Sequence, residues 1–598
     1  MEIARLDNSK MTGAYGIFCH AIAKRGDRDS LYPTFCEIPP KGKTTTHNHF
    51  EAELFFIVSG HGSMTIGIES NEVQAHDLIR IPPFARHELS NLGDEKLVFL
   101  SVYGEDFETL KPPAKALITA APPTPNGALH LGHISGPYLA ADIAARHLRQ
   151  RNAAVRLHSG TDDHQNYVAA KAISLQEDPE SFRSRMRARI QKGLMTAEIA
   201  FDEFIEPKKD ANYQMNVQSF AERVFASGIL ETSNVELPYC PACDVTLIDS
   251  LIDGTCPCCQ EPSRGGCEGC GIVVPPQDLL NIHCGRCGKP ASRKSVLASF
   301  FPLSHYLPLI QDNLKKLSLS SHLLGMIARM AEMKDLKVLV AHQETNERFK
   351  SGLSSDDSEL TLHVWFEMAA HYEQFALSTD FWIHSFGFDN GFYYLLFIPA
   401  LLRALNANAK LPDALITNEF LLLEGKKFST SRGHAIWADE FTGSADHLRL
   451  FLSLNRPANL TSDFSMGRFS LFSADLKEQL DQLTLHAQSL ETRVKIPKAL
   501  YSSEVFLLNA IVHSNRFTRE MERDLAPSTF APRQAARRLL DFIDLTIQSS
   551  GLGERGEYIM LRSIGTAMAS LMPKESEKIL ALLGTDSNQW IADWAVVV

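Results

Sequence analysis

The chain has 598 residues, more than one core usually serves, so several domains are expected. A composition that is 44% hydrophobic and 22% charged is that of an ordinary globular protein and excludes a disordered or fibrous one. The net charge of −12 argues only weakly against nucleic acid, because a local basic patch would be enough to bind it.

Met1–Gly13 is mixed and polar and has no apolar signal core. Up to about Asp106 the chain reads as strands: Leu54–Val58, Met64–Ile68, Leu78–Ile81 and Leu97–Val102, with Gly, Asp and Pro between them. Leu110–Lys115 reads as a linker. Beyond it strands alternate with helices, as in an open parallel sheet: Lys115–Ala120 a strand, His130–Arg151 a helix, Val155–Ser159 a strand. The longest apolar stretch, near Phe392–Leu402, is broken by Pro399 and is too short to span a bilayer. From Met466 onward apolar spacing is helical, as in Lys477–Val494 and Ala535–Ile547. A soluble, cytoplasmic enzyme with no membrane partner is expected.

Nine of the 11 cysteines fall between Cys240 and Cys287. They include four Cys-x2-Cys pairs: Cys240/Cys243, Cys256/Cys259, Cys267/Cys270 and Cys284/Cys287. Each pair offers two thiolates to one ion, and two pairs complete a tetrahedral zinc site, so two structural zincs are expected. Cys258 is a spare. This density suits a metal site in a reducing compartment better than a disulfide framework.

His47-Asn48-His49, then Glu53 and Gly60, precede Pro82 to His87 and Asn91. Residues two apart on a strand share a face, so His47, His49 and Glu53 are expected to point into one cavity, with His87 as fourth ligand. Such a donor set suits Zn, Fe(II), Mn or Ni, with zinc preferred here. A metal-free barrel with structural histidines is the bland alternative. His61 and His76 read as surface residues. The pattern resembles the two cupin motifs.

Asn126-Gly127-Ala128-Leu129-His130-Leu131-Gly132-His133 follows a strand and opens a helix. Free N–H groups at that turn and two histidines on one face can meet a phosphate. Gly425-Lys426-Lys427-Phe428-Ser429-Thr430-Ser431-Arg432-Gly433 comes some three hundred residues later. The two segments resemble the HIGH and KMSKS signatures of class I synthetases in their methionyl form. The resemblance implies His130, His133 and Lys427 as catalytic groups. It implies Asn126, Gly127, Gly387, Asp389, Ser429 and Thr430 as ATP ligands, with Mg2+, and Asp389 on the ribose. Gly160-Thr161-Asp162-Asp163-His164 is similar to the family's Gly-Thr-Asp-Glu-His, so Asp162 would hold the substrate α-ammonium. Val364-Trp365-Phe366-Glu367 and Tyr372 resemble a further pocket segment, and Trp365, Tyr372 and Tyr394 would line the amino-acid site. The inner cysteine pairs would share one zinc and the outer pairs the other.

Departures from the family pattern fall on the pocket. Tyr394 and Ile398 stand for a His and a Trp, Thr124 for a Tyr, Pro122 for a Leu and Met368 for an Ala. Thr430 replaces the second lysine of the loop, which implies either slower activation or a shift of the work to Lys426 or Arg432. A pocket rebuilt at several walls should not prefer methionine. The C-terminal helices resemble an anticodon-binding bundle. Ser570–Gly584 matches its last helix, but Phe469–Gln488 lacks the anticodon-reading Asn, Arg and Trp.

The expected architecture is multidomain: an all-β cupin barrel (1–108), then an α/β class I synthetase Rossmann fold. The Rossmann fold is split into 113–231 and 299–465 by a zinc-knuckle insertion (232–298), and a C-terminal α-helical bundle (466–598) follows. A cupin joined to a methionyl-tRNA-synthetase-like domain resembles the hydrazine synthetases of bacterial natural-product pathways. That resemblance implies an ATP-dependent ligase that activates an amino acid such as glycine or glutamate, esterifies it to N6-hydroxylysine, and forms an N–N bond at the cupin metal. tRNA is then not an expected partner. The alternatives are a methionyl-tRNA-synthetase-like aminoacyl-tRNA ligase, a ligase loading amino acids on a carrier or small amine, and a non-catalytic metabolite-binding regulator.

Overall fold

The computed structural model describes residues 11–14, 16–21, 31–47, 53–67, 69–81, 85–104, 112–267, 269–333, 335–344, 360–376, 379–428, 433–493, 504–549 and 553–585. The chain divides into two compact units, Met1–Lys111 with Ser503–Arg519, and Pro112–Ser502 with Glu520–Val598. Among the described residues, no helix is long and apolar enough to cross a membrane.

The first unit contains two antiparallel sheets. One has six strands, in which Leu31–Ile38 and Glu53–Ser59 flank Leu97–Gly104. The other places His61–Ile66 between Glu69–Gln74 and His87–Asn91. Period-two alternation sets what faces inward: along Glu53–Ser59 the buried residues are Glu53, Phe55 and Ile57. A carboxylate is thereby placed on the same face as the apolar core of Ile38, Ile81, Leu89 and Phe99. The expected strand Leu78–Ile81 is found as such, and the run expected to begin at Met64 belongs to a strand that starts earlier, at His61.

The second unit is built on a five-stranded parallel sheet. Its order is Glu203–Ile205, Ala154–Gly160, Lys115–Ala120, Trp382–Gly387, Ala414–Asn418. The chain builds outward from Lys115–Ala120 to one side and later to the other. A crevice therefore opens at the C-terminal ends of Lys115–Ala120 and Trp382–Gly387, the topological switch point where α/β sheets bind ligands. The turns that leave these ends carry Asn126 to His133, Thr161 to His164 and Phe388 to Asn390.

An antiparallel sheet around Glu231–Cys240 and Ser292–Phe301 carries the cysteine knuckles. The expected helix His130–Arg151 runs from Leu131 to Gln150, but Ile134–Tyr138, with Pro137, forms a π-helical turn. Proline removes one backbone donor, and such turns are common beside functional sites. Tyr393–Phe397 is a second π-helical turn, on the opposite wall of the crevice.

Five helices follow: Met466–Arg493, Glu504–Leu525, Pro532–Gln548, Glu554–Leu571 and Pro573–Leu582. The single final helix expected over Ser570–Gly584 is a helix end and a new helix, restarted at Pro573, where proline suits the first helical turn. Arg449 ties the helix Glu554–Leu571 to the helix Leu139–Gln150 beside the parallel sheet. Fully buried, it bonds Asp142 at 2.7 Å and donates to the carbonyls of Ala197, Ser570 and Leu571. Every one of those acceptors offsets the cost of a buried guanidinium.

Candidate active site and metal centres

The crevice holds a cavity of about 540 Å3. Asn126, Gly127, His130, His133, Gly387, Asp389 and Lys427 line it, as do Asp162, Trp365 and Tyr394. The structure thus brings together on one surface the residues expected for nucleotide and for amino acid. Ser429 and Thr430 lie outside the described residues.

His130 and His133 stack with ring centroids 3.7 Å apart, and Phe428 stacks on the His130 ring at 4.4 Å. Gly132 makes this possible, because a Cβ there would meet His130 Nδ1 at 2.9 Å. Beyond the Lys427 loop the chain returns to pair with the same turn: Leu131 N–H donates to Ile436 O at 3.0 Å, and Ala438 N–H to Leu129 O at 2.8 Å. Burial first, then the neighbouring His133, pushes the pKa of His130 down to about 2. His133 opens to the water of the cavity but sits deep in the protein, and that enclosure lowers it to about 4. Both rings are therefore neutral hydrogen-bond donors near neutral pH.

Asp162 is buried, and its backbone N–H donates to Pro123 O at 3.0 Å. Thr124 donates to its Oδ2 at 3.1 Å, while Oδ1 is buried with no partner among the described residues. Burial, and then the negative charge of Glu367, raises its pKa well above the usual carboxylate value. A cation brought to Oδ1 would relieve both effects, and an α-ammonium has that chemistry. Asp163 points away and pairs with Arg187 at 2.9 Å.

Trp365 stacks on Tyr393 at 3.9 Å, with Tyr394 edge-on at 5.4 Å. Tyr372 does not line the main cavity. It lines a second cavity of about 10 Å3, together with His158, His371 and Tyr213. The ring nitrogens of His158 and His371 share a hydrogen bond of 2.9 Å. Tyr213 and His164 both bond Glu367 Oε1, at 2.7 and 2.8 Å. Sequence spacing carried no signal for this group, whose members come from three separate segments. It also missed Asp249 and Arg264, which reach the main cavity from the cysteine-rich insertion.

The cysteines form two groups of four, Cys240/Cys243/Cys284/Cys287 and Cys256/Cys259/Cys267/Cys270, each with sulfurs within 4.8 Å of one another. Sulfur separations of 3.6 and 3.9 Å in the first, and 3.8 and 3.3 Å in the second, approach the ~3.8 Å edge of a tetrahedral ZnS4 site. Both groups could hold zinc. The pairing is outer with outer and inner with inner, and Cys258 lies exposed outside both. The inner group is continuous with the active cavity. Gly266 and Cys267 line it, and Gly271, at φ +73°, lies where a Cβ would meet Phe388 Cζ at 2.6 Å. Arg329 donates to Cys270 O at 2.6 Å, and His322 stacks on Phe388 at 3.5 Å.

In the first unit His47 and His87 are cross-strand neighbours, with mutual backbone hydrogen bonds of 3.2 and 2.9 Å and ring centroids 4.3 Å apart. Glu53 Oε2 lies 3.4 Å from His87 Nε2, and Ser101 donates to Glu53 Oε1. Thr45 O and Ala85 O accept from the two Nδ1 atoms at 2.7 and 2.8 Å, the tautomer in which Nε2 would be the metal-binding nitrogen. These donor types suit a divalent ion, although among the described residues only the two cysteine groups bring three or more ligand atoms within 4.8 Å of one another. His49 lies outside the described residues. Asn91 is structural: it is buried and donates to Ile38, Pro39 and Glu95 carbonyls. His61 and His76 are exposed, as expected. Elemental analysis of purified protein is expected to give two zincs per chain plus one separable metal. The double variant His47→Ala/His87→Ala should lose one equivalent and keep its fold, whereas an unchanged metal count would sink the cupin assignment.

The methionine–tRNA ligase of Methanococcus aeolicus is 29% identical over 380 residues, 59% of this chain and 55% of that protein. The chain thus spans about half the length of that relative. The methionine–tRNA ligase of Methanopyrus kandleri is 28% identical over 525 residues, 80% of this chain and 77% of that protein. Mycobacterium tuberculosis methionyl-tRNA synthetase in complex with methionyl-adenylate matches with a TM-score of 0.61 at 18% identity, covering 80% of this chain and 95% of that one, a likeness of fold. Residues 34–103 match the cupin domain family. Residues 116–483 match the family described as tRNA synthetases class I (M), and with more than half of its length so matched the chain belongs to that family, carrying a cupin domain ahead of the synthetase fold.

Proposed function

We propose that the chain is an ATP-dependent hydrazine synthetase: it activates an amino acid as its adenylate, transfers the acyl group to N6-hydroxylysine, and rearranges the ester to an N–N bond. The observation that carries the first step is the buried Asp162 with an open Oδ1, in one cavity with the stacked, neutral His130 and His133. Asp162 would orient the amino acid through its ammonium, His130 and His133 would donate to the α-phosphate as charge builds there, and Lys427 would neutralise the departing pyrophosphate. Asp389 would hold the ribose. Zinc in the two cysteine groups would be structural.

The later steps are supported by the cupin on the same chain, with His47, Glu53 and His87 gathered inside it. The hydroxylamine oxygen attacks the adenylate carbonyl carbon and AMP leaves. The amino acid's nitrogen then attacks the lysine N6, the N–O bond breaks with its electron pair going to the amino acid's carboxylate, which stays on the product, and the attacking nitrogen gives up a proton. A divalent ion in the cupin would polarise the ester as a Lewis acid. Glu53 and the histidines would hold that ion.

A second reading is favoured by the relatives, which are methionine–tRNA ligases: the chain would charge tRNA. Mass spectrometry after incubation with ATP, N6-hydroxylysine, tRNA and a panel of amino acids separates the two. Hydrazine-linked product is expected. Charged tRNA, with adenylate but no hydrazine, would favour the second reading.

A further inference from the structure

The amino-acid side of the crevice is divided in two. The main cavity and the 10 Å3 chamber have two lining residues in common, Pro122 and Met368. The helix Val364–Ala376 explains the arrangement. Trp365, Met368 and Tyr372 succeed one another at spacings of three and four, so they fall on one face. Trp365 opens on the main cavity, Tyr372 on the chamber, and the buried Met368 stands between them. Behind it the chamber is walled by His158, His371 and Tyr213 and has room for about one water.

Asp162 lies beside this partition, because its N–H is bonded to the carbonyl of Pro123, the residue after Pro122. A substrate held by its ammonium on Asp162 would therefore present its side chain to Pro122 and Met368. We infer that Met368 is a specificity-determining residue that closes off a polar side-chain pocket and restricts the activated amino acid to those with a small side chain. The space behind it would admit a longer side chain, but Met368 keeps it out of reach. This rests on the reading of the crevice as an amino-acid-activating site.

The test is ATP–pyrophosphate exchange by full-length wild type, Met368→Ala and Met368→Val, each with glycine, alanine, serine, glutamine, glutamate and methionine. Wild type is expected to prefer the three small amino acids. Met368→Ala removes the atoms beyond Cβ and joins the two spaces. It should raise kcat/KM for glutamine or glutamate relative to glycine on the order of tenfold or more, the scale at which pocket volume discriminates. Met368→Val should shift the ratio in the same direction by less, and it decides the matter should the alanine variant not fold. Exchange by wild type with an unchanged glutamine-to-glycine ratio in the folded variants overturns the role of Met368 alone, as does a wild-type preference for a large side chain. No exchange by wild type with any amino acid overturns the activation reading itself.

Discussion

His130→Ala is expected to slow amino-acid-dependent ATP–pyrophosphate exchange by about 10²–10³-fold, the usual cost of removing one donor aimed at developing charge. The imidazole is well placed for such a loss. It is clamped between His133 and Phe428, so no reorganisation is needed when charge appears on the phosphate. It is also held neutral by burial, so substitution removes a hydrogen-bond donor rather than a full charge. Lys427→Ala should act in the same direction through pyrophosphate release. Exchange rates and thermal melts of the two variants check this. A folded His130→Ala protein with near-wild-type exchange would remove the histidine from the mechanism.

Lesions in the cupin should behave in the opposite way. His47→Ala and His87→Ala are each expected to leave pyrophosphate release largely intact while hydrazine formation falls to background. The ester, or AMP and free amino acid from its hydrolysis, should accumulate. The reason is the separation of donor sets: His47, Glu53 and His87 belong to one compact unit, and Asp162, His130 and Asp389 to the other. Parallel measurement of pyrophosphate and hydrazine in each variant decides it. Wild-type N–N bond formation by the cupin variants would mean that the rearrangement occurs elsewhere.

Much of this was legible in the sequence because the relevant groups are close along the chain. His130 and His133 sit on one turn, the cysteines come in pairs, and Lys115–Ala120 is a run that could be little other than a buried strand. The nucleotide residues could be assigned because their short segments resemble the signatures of class I synthetases, and the fold puts its ligands at such strand ends. What was hidden depends on contacts between distant segments. Tyr372 counts as a pocket residue by position, yet it lines a chamber that shares only Met368 and Pro122 with the main cavity. The Glu367 cluster draws on His164 and Tyr213, over 150 residues before it in the chain, and no local pattern marks such partners. The π-helical turn at Ile134–Tyr138 is similarly invisible to a 3.6-residue period, which reads through it as one helix.

On the proposed function, the close fit of Gly271 against Phe388 would make the inner cysteine group a partner in nucleotide binding at a distance. Phe388 precedes Asp389, the proposed ribose ligand, so an ion that fixed the Cys267–Cys270 turn would also fix the backbone on which the nucleotide would rest. Thermodynamic linkage then runs both ways. By whatever factor the bound ion tightens the hold on ATP, ATP tightens the hold on the ion, and a saturated enzyme would surrender its inner metal to a chelator more slowly than an idle one.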